Sequence, residues 1–208
     1  MIDMATLGAF LAVLIGIFLI PGPAVLLTAT RTVQGGRKAG IMAAFGIGLG
    51  DMIHTIFAAV GLSAILMTSA WAFQAVKFAG AAYLIYLGIR AWMEKSVDPQ
   101  LPKVQALSPL QSLSQAVLTE LLNPKTALFF LAFLPQFVHP ERGASVFQFL
   151  ILGLIFVLLG TVYTICIAMS IRPLSRVVKR VSWLGRWSGK IIGTIYIGLG
   201  LKVAMQSR

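Results

Sequence analysis

The chain has 208 residues, 17 Lys or Arg against 6 Asp or Glu, and 58% hydrophobic residues with only 11% charged. Soluble globular domains carry about 25% charged residues, so the composition excludes an ordinary soluble fold and indicates a polytopic membrane protein. The net charge of +11 would suit nucleic acid, but in a chain this apolar a basic excess reports orientation in the bilayer. Nucleic acid is therefore not an expected partner. The length leaves room for about six spans with short connections at about 20 residues each, so residues 1–208 read as a single transmembrane domain. Cys166 is the only cysteine, which excludes an intramolecular disulfide, a thiol relay and a cysteine metal cluster; buried packing is its expected role.

Hydropathy predicts helices over 5–29, 40–66, 70–92, 112–138, 144–171 and 187–205. Met1 to Met4 lacks the basic region of a secretory signal, so the run that follows is kept as the first span. Met4 to Thr30 contains no charged residue, yet Pro21, Gly22 and Pro23 interrupt it. Each proline removes a backbone donor, which frees the carbonyls of Ile17 and Leu19. In hydrocarbon such groups are tolerated only where protein or a water-filled cavity serves them, so a broken first helix suggests a transport site. A kink without a role is the plain alternative.

The second helix carries Asp51 and His54, three apart and hence on one face, where a carboxylate beside an imidazole can hold and pass a proton. A structural hydrogen bond between helices explains the pair as simply. Gly46-x-x-x-Gly50 on the same helix presents a small-residue packing face. The third and sixth helices start near Lys77 and Lys190, which snorkel to the interface. In the fourth helix, Asn123-Pro124-Lys125 forms a second break, and Pro124 frees the carbonyl of Glu120. Glu120 and Lys125 flank that break and could pair across it, or lie close to an interface. An Asp or Lys centred in a span costs about 2.5–3.5 kcal/mol, so Asp51, His54, Glu120 and Lys125 each need a partner or a cavity.

Arg172, Arg176, Lys179 and Arg180 recur at helical spacing opposite Leu174, Val177, Val181 and Leu184, the pattern of a helix lying on the inner leaflet. With six spans, the connections after the first, third and fifth helices hold 12 of the 17 basic residues, Arg31 among them. The other side holds Lys77, Arg142, Lys202 and Arg208, and Lys125 stays within the membrane. This asymmetry puts the basic loops in the cytoplasm and both termini outside.

An internal repeat organises the chain. Pro23 matches Pro124, and Lys77-x-x-Gly80-x-x-Tyr83 matches Lys190-x-x-Gly193-x-x-Tyr196. Repeat 1 covers about 1–95 and repeat 2 about 108–208. Three spans is an odd number, so the second copy runs the opposite way, giving a 3+3 inverted repeat with broken first and fourth helices that face each other near the midplane. The expected fold class is thus an all-α integral membrane protein of six transmembrane helices.

These residues also carry a family resemblance. Pro21-Gly22-Pro23, Gly35-Gly36-Arg37-Lys38-Ala39-Gly40, Gly46, Gly50-Asp51 and His54 belong to the pattern, as do Gly80-Ala81-Ala82-Tyr83-Leu84 and Tyr86-Leu87-Gly88. Leu122-Asn123-Pro124-Lys125-Thr126-Ala127-Leu128-Phe129-Phe130 and Leu134-Pro135-Gln136-Phe137 complete it. The chain resembles the lysine exporter family of bacterial inner-membrane amino-acid exporters, in particular its homoserine, threonine and leucine exporter branch. The resemblance implies export of an amino acid or related metabolite from the cytoplasm by proton antiport, with no cofactor and no enzymatic activity. No Gly-x-x-x-x-Gly-Lys-Ser/Thr phosphate loop is present. Glu120 departs from the pattern, where relatives often have asparagine. The expected partners are a small-molecule amino acid, protons and the lipid bilayer, with a homo-oligomer left open.

Expected substrate and proton pathway residues are Pro21, Gly22, Pro23, Asp51, His54, Glu120, Asn123, Pro124 and Lys125, with neither catalytic nor resident metal residues. Two other classes remain open on the residues alone. A divalent-cation exporter would use Asp51, His54 and Glu120 as ligands. An intramembrane hydrolase would need a nucleophile beside its base, for which no spacing singles out a dyad.

Overall fold

The computed structural model describes residues 2–19, 22–64, 70–93, 106–178 and, between 190 and 205, nine helical residues that include Lys190, Gly193, Ile197 and Gly200. Among them every regular element is helical, with no strand. The elements are α1 (Met4–Leu19), α2 (Pro23–Phe57), α3 (Ala70–Met93), α4 (Pro109–Leu121), α5 (Pro124–Leu128) and α6 (Ser145–Val178). A π-helical turn, Ala58–Leu62, prolongs α2, and a second one, Phe129–Phe133, prolongs α5 into the short 3-10 turn Leu134–Phe137.

Pro23–Leu62 and Ser145–Ser170 are each long and apolar enough to cross a membrane, and Pro109–Leu121 with Pro124–Phe137, bent by 46°, forms a further candidate span. A straight helix from Pro23 to Leu62 would measure about 60 Å, twice the hydrocarbon thickness. It is not straight. Gly36 breaks it at φ 79° and ψ 178°, a conformation essentially restricted to glycine, and the chain folds back there. Gly40 consequently lies against the Thr32 side chain, and Ala24 and Leu27 pack on Ala43 and Ile47. The two arms, 23–35 and 37–57, form an antiparallel hairpin.

The first predicted helix therefore continues past residue 29 to the turn at Gly36, and this corrects the placement of Arg31. It is a buried helical residue, 2% exposed, rather than part of a loop. Its guanidinium donates to Gln115 Oε1 through Nε at 2.9 Å and through Nη2, and to Gln34 Oε1 at 3.3 Å. The amides replace the water that a loop would have offered.

Glycines set the spacing of the second arm against its neighbours. Gly46 and Gly50 meet Ala116 and Glu120 of α4, and both numbers rise together, so arm and α4 run parallel. Gly40, Gly48 and Thr55 meet Ala168, Thr161 and Gly153 of α6, where the numbers run in opposition and the helices are antiparallel. Small residues at these contacts let the backbones approach closely, the form of packing available where the surroundings are already apolar. Gly88 and Gly200 similarly seat α3 and the C-terminal helical residues on each other, antiparallel, with Trp92 Nε1 donating to the Lys190 carbonyl at 2.8 Å.

The largest buried cluster joins Phe10, Leu14 and Ile17 of α1 to Phe129, Phe130, Phe133, Phe149 and Phe156. Phe129 stacks on Phe156 at 4.5 Å between ring centres. Cys166, expected in the core, is exposed on the protein surface. A small soft thiol suits a face that packs on lipid. α6 extends helically to Val178, so the start of the segment expected on the inner leaflet continues the preceding helix; residues 179–186 of it lie outside the described residues. Asp3 and Arg142 form an exposed ion pair that ties the N-terminus to the segment before α6.

Candidate functional site

Both predicted interruptions are breaks in helical geometry. Gly22 is extended, at φ −119° and ψ −174°, and caps α2 without a side-chain bond. Pro23 follows at the first helical position, where a missing N–H costs nothing. Pro21 lies outside the described residues. At the second break Asn123 is extended, and its side-chain oxygen accepts from the Lys125 amide at 3.1 Å, capping α5 while Pro124 occupies the first helical position.

The breaks touch. Lys125 reaches across to the first one, where a Cβ on Gly22 would stand 3.2 Å from its Cδ. Its ammonium donates to the Ile17 carbonyl at 2.8 Å. That carbonyl is the one a proline at position 21 deprives of its helical partner, so a cation from the second break serves an orphan of the first. The reverse region is served too. The Glu120 carbonyl accepts from the Asn123 amide at 3.1 Å and from His54 Nε2 at 3.1 Å.

Beside this contact lies a cavity of about 50 Å³, lined by Gly22, Ala24, Val25, Asp51, Glu120, Asn123, Lys125 and Thr126, with Ile17, Phe18, Phe129, Phe156 and Tyr163 among its apolar and aromatic walls. A single water needs about 10–15 Å³, so there is room for several. Asp51 and Glu120 are each only 2% exposed. The Glu120 carboxylate accepts from Asn123 Nδ2 at 3.1 and 3.2 Å and from the Thr126 hydroxyl. Asp51 lines the cavity beside Glu120, and its Oδ1, also buried, has no hydrogen-bond partner among the described residues.

Of the predicted pathway residues, Gly22, Asp51, Glu120, Asn123 and Lys125 line one cavity. Pro23 and Pro124 begin the two helices that flank it. His54 is placed differently from the expected Asp51 partner. Its ring stacks on Phe130 at 5.7 Å and its Nε2 bonds to the Glu120 backbone, because the helix face it shares with Asp51 is packed against α4. Thr126, Phe129, Phe156 and Tyr163 were not singled out as site residues. Thr126 carried a signal, standing three residues after an N-cap asparagine and six after Glu120; the aromatic walls carried none beyond general hydrophobicity.

Two helix breaks meet around buried charged residues, and comparison with known proteins decides the family. Residues 15–207 match the model of the LysE type translocator family. The chain belongs to the LysE type translocator family. Among its relatives, an uncharacterized membrane protein of Bacillus subtilis, YrhP, is 32% identical over 97% of this chain and 100% of its own length. An uncharacterized membrane protein of Pseudomonas aeruginosa is 32% identical over 90% of this chain and 89% of its own. The homoserine/homoserine lactone efflux protein of Salmonella typhimurium is 34% identical over 65% of each chain. No solved structure matches. Membership makes this LysE type translocator a multi-pass bacterial membrane protein, and its long apolar helices accord with that.

Proposed function

We propose that this translocator exports an amino acid from the cytoplasm by proton antiport through the cavity between the two helix breaks. The observation that carries the reading is the convergence of Asp51, Glu120 and Lys125, from three helices, on one cavity. Two carboxyls that line one cavity are groups able to take up and release a proton, and a carrier that alternates between a protonated and a substrate-loaded form exchanges one for the other. The Salmonella relative's activity on homoserine and its lactone favours a small amino acid or a close derivative.

Six spans in a 3+3 inverted repeat, with both termini outside, complete the proposal. The helix directions support it. Segments 10–35 and 107–137 cross antiparallel, from Phe10 against Phe137 through Gly22 against Lys125 to Gly35 against Leu107, so the crossing is centred on the breaks that the repeat equates. The second arm of α2 and α6, and α3 and the C-terminal helix, are likewise antiparallel, as equivalent helices of an inverted pair must be.

The cation-exporter reading finds no comparable support, since no three metal-ligating side chains converge among the described residues. Reconstitution of Asp51→Asn and Glu120→Gln in proteoliposomes tests the antiport. Asp51→Asn is expected to insert and fold, to lose efflux driven by a proton gradient, and to keep substrate exchange at equal concentrations. Normal proton-driven efflux by both variants would refute the carboxyl mechanism.

A further inference from the structure

The two arms of α2 meet their partners in different ways. The second arm is fitted to α4 backbone to backbone, since a Cβ on Gly46 would stand 2.3 Å from the Leu113 carbonyl oxygen and one on Gly50 2.6 Å from Glu120 Cβ. Helices packed this closely shift as one body. The first arm, residues 23–35, is instead held largely by the ends of long side chains, Lys125 at Gly22 and Arg31 at Gln115 of α4. A non-helical glycine bounds it at each end, Gly22 in extended conformation and Gly36 at φ 79°. It is therefore a rod of about 20 Å that can shift while the second arm and α4 stay locked together. The seam between the first arm and α4 is the one built to open.

That seam leads from the cavity to the Gly36 end of the bundle. Ala24 lines the cavity, Leu27 packs on the cluster of Ala43, Ile47 and Ala116, and Gly35 ends the arm against the Leu107 carbonyl. Between them Thr28 and Arg31 follow Ala24 at helical spacing on one face and are 0% and 2% exposed. The Thr28 hydroxyl is buried with no hydrogen-bond partner among the described residues. Such a group weakens the closed seam, and water entering an open one would satisfy it. Arg31 acts in the opposite sense. About 10 Å along the helix from Ala24, it gives Nε and Nη2 to Gln115 and so ties the arm to α4, while Nη1 goes to Gln34 of its own arm. We propose that Arg31 is the latch of a gate. Held by Gln115, it keeps the seam shut between the cavity and the Gly36 end; released, it lets the arm move off α4 and opens the cavity to that side. The gate goes beyond the antiport reading and takes from it the orientation that puts the Gly36 end in the cytoplasm.

The accessibility of a thiol in the cavity wall tests the latch. In the full chain, Cys166→Ser removes the exposed native thiol and Ala24→Cys places one beside the cavity. A membrane-impermeant maleimide is applied to inverted membrane vesicles, which present the cytoplasmic face, and to right-side-out vesicles. Slow labelling of a thiol behind a gate follows the open fraction, so its rate reads the strength of the latch. On this background Gln115→Glu offers the Arg31 fork a carboxylate and tightens the latch, whereas Gln115→Ala takes the acceptor away and loosens it. In inverted vesicles the first should slow labelling and the second speed it, each by about tenfold or more. From the other face this order should be absent. Gln115→Glu keeps the tie, so it remains decisive if Gln115→Ala folds poorly. Labelling at the wild-type rate in both variants, with melting temperatures that move, would make the contact a structural one and overturn the gate. The predicted order of rates seen only in right-side-out vesicles would overturn its cytoplasmic placement. Because labelling needs no substrate, failure here is distinct from failure of the antiport, which efflux by Asp51→Asn and Glu120→Gln decides.

Discussion

Gly50→Ala adds one methyl group at the point where the second arm of α2 meets the helix that carries Glu120. A Cβ at Gly50 would stand 2.6 Å from Glu120 Cβ and 3.0 Å from its Cγ. Carbon atoms rest at about 3.5–4.0 Å, so arm and α4 must separate by roughly 1 Å. Both neighbouring atoms are at the root of the side chain, so a rotamer change cannot relieve the contact and the backbone has to move. Overpacking of this kind costs about 1–3 kcal/mol. Alanine recovers up to about 1 kcal/mol of that by its higher helix propensity. The net loss of about 1–2 kcal/mol lowers the folded-to-unfolded ratio about 5- to 30-fold. The same shift separates Asp51, the next residue in the chain, from the Glu120 carboxyl beside it in the cavity wall, so proton-driven efflux should fall more than stability does. Gly16→Ala in α1 is the matched control, because its Cβ would meet nothing within 4 Å. Thermal unfolding of the purified chain in detergent, followed by tryptophan fluorescence, and efflux from proteoliposomes measure the two effects. A Gly50→Ala chain that melts with the wild type and exports normally would refute the argument that this contact sets the carboxyl pair.

Gly36→Ala is expected to destabilise by about 1–3 kcal/mol through backbone strain alone, since nothing lies within 4 Å of its Cβ yet φ is 79°; an unchanged melting temperature would contradict the fold-back at this residue. Gln115→Leu should destabilise by about 1–3 kcal/mol, as it takes from the buried Arg31 the amide oxygen that accepts from Nε and Nη2, and thermal unfolding reads the loss directly. A periplasm-active reporter fused after Arg208 should be active and a cytoplasm-active one silent; the reverse pattern would overturn the proposed orientation.

The helix breaks were legible because proline's missing donor is a local fact that no tertiary context restores. That Asp51, Glu120 and Lys125 need partners was legible for a similar reason, the cost of an isolated charge in hydrocarbon. Their convergence was not, because it depends on the hairpin at Gly36 and on the fit of Gly46 and Gly50 against α4, which only the packed chain reveals. Arg31 shows the converse error. Counting charges assigns an arginine at the end of an apolar run to a loop, and nothing local to Arg31 announces that Gln115, 84 residues away, will receive its guanidinium. The small-residue face of the second arm was recognised from spacing, whereas its two distinct partners, α4 for Gly46 and Gly50 and α6 for Gly40 and Gly48, follow from geometry that spacing does not contain.

His54 separates local from tertiary reasoning most sharply, and it yields a test. Spacing of three residues on one helix pairs it with Asp51, which would make it a tuner of proton coupling. The fold instead gives its Nε2 to the Glu120 carbonyl, at the turn that Pro124 deprives of its regular donor, and stacks its ring on Phe130. In this position the imidazole supports the bend that carries Glu120, Asn123 and Lys125. His54→Gln, which retains an amide donor of similar reach, should therefore keep efflux and its dependence on the proton gradient, while His54→Ala leaves the carbonyl with one fewer donor and costs about 1–3 kcal/mol. Melting temperatures and gradient-driven efflux of the two variants decide between the roles. Loss of proton-driven efflux in His54→Gln at wild-type stability would return the residue to proton handling, and would mean that the Glu120 carbonyl is served well enough by the Asn123 amide alone.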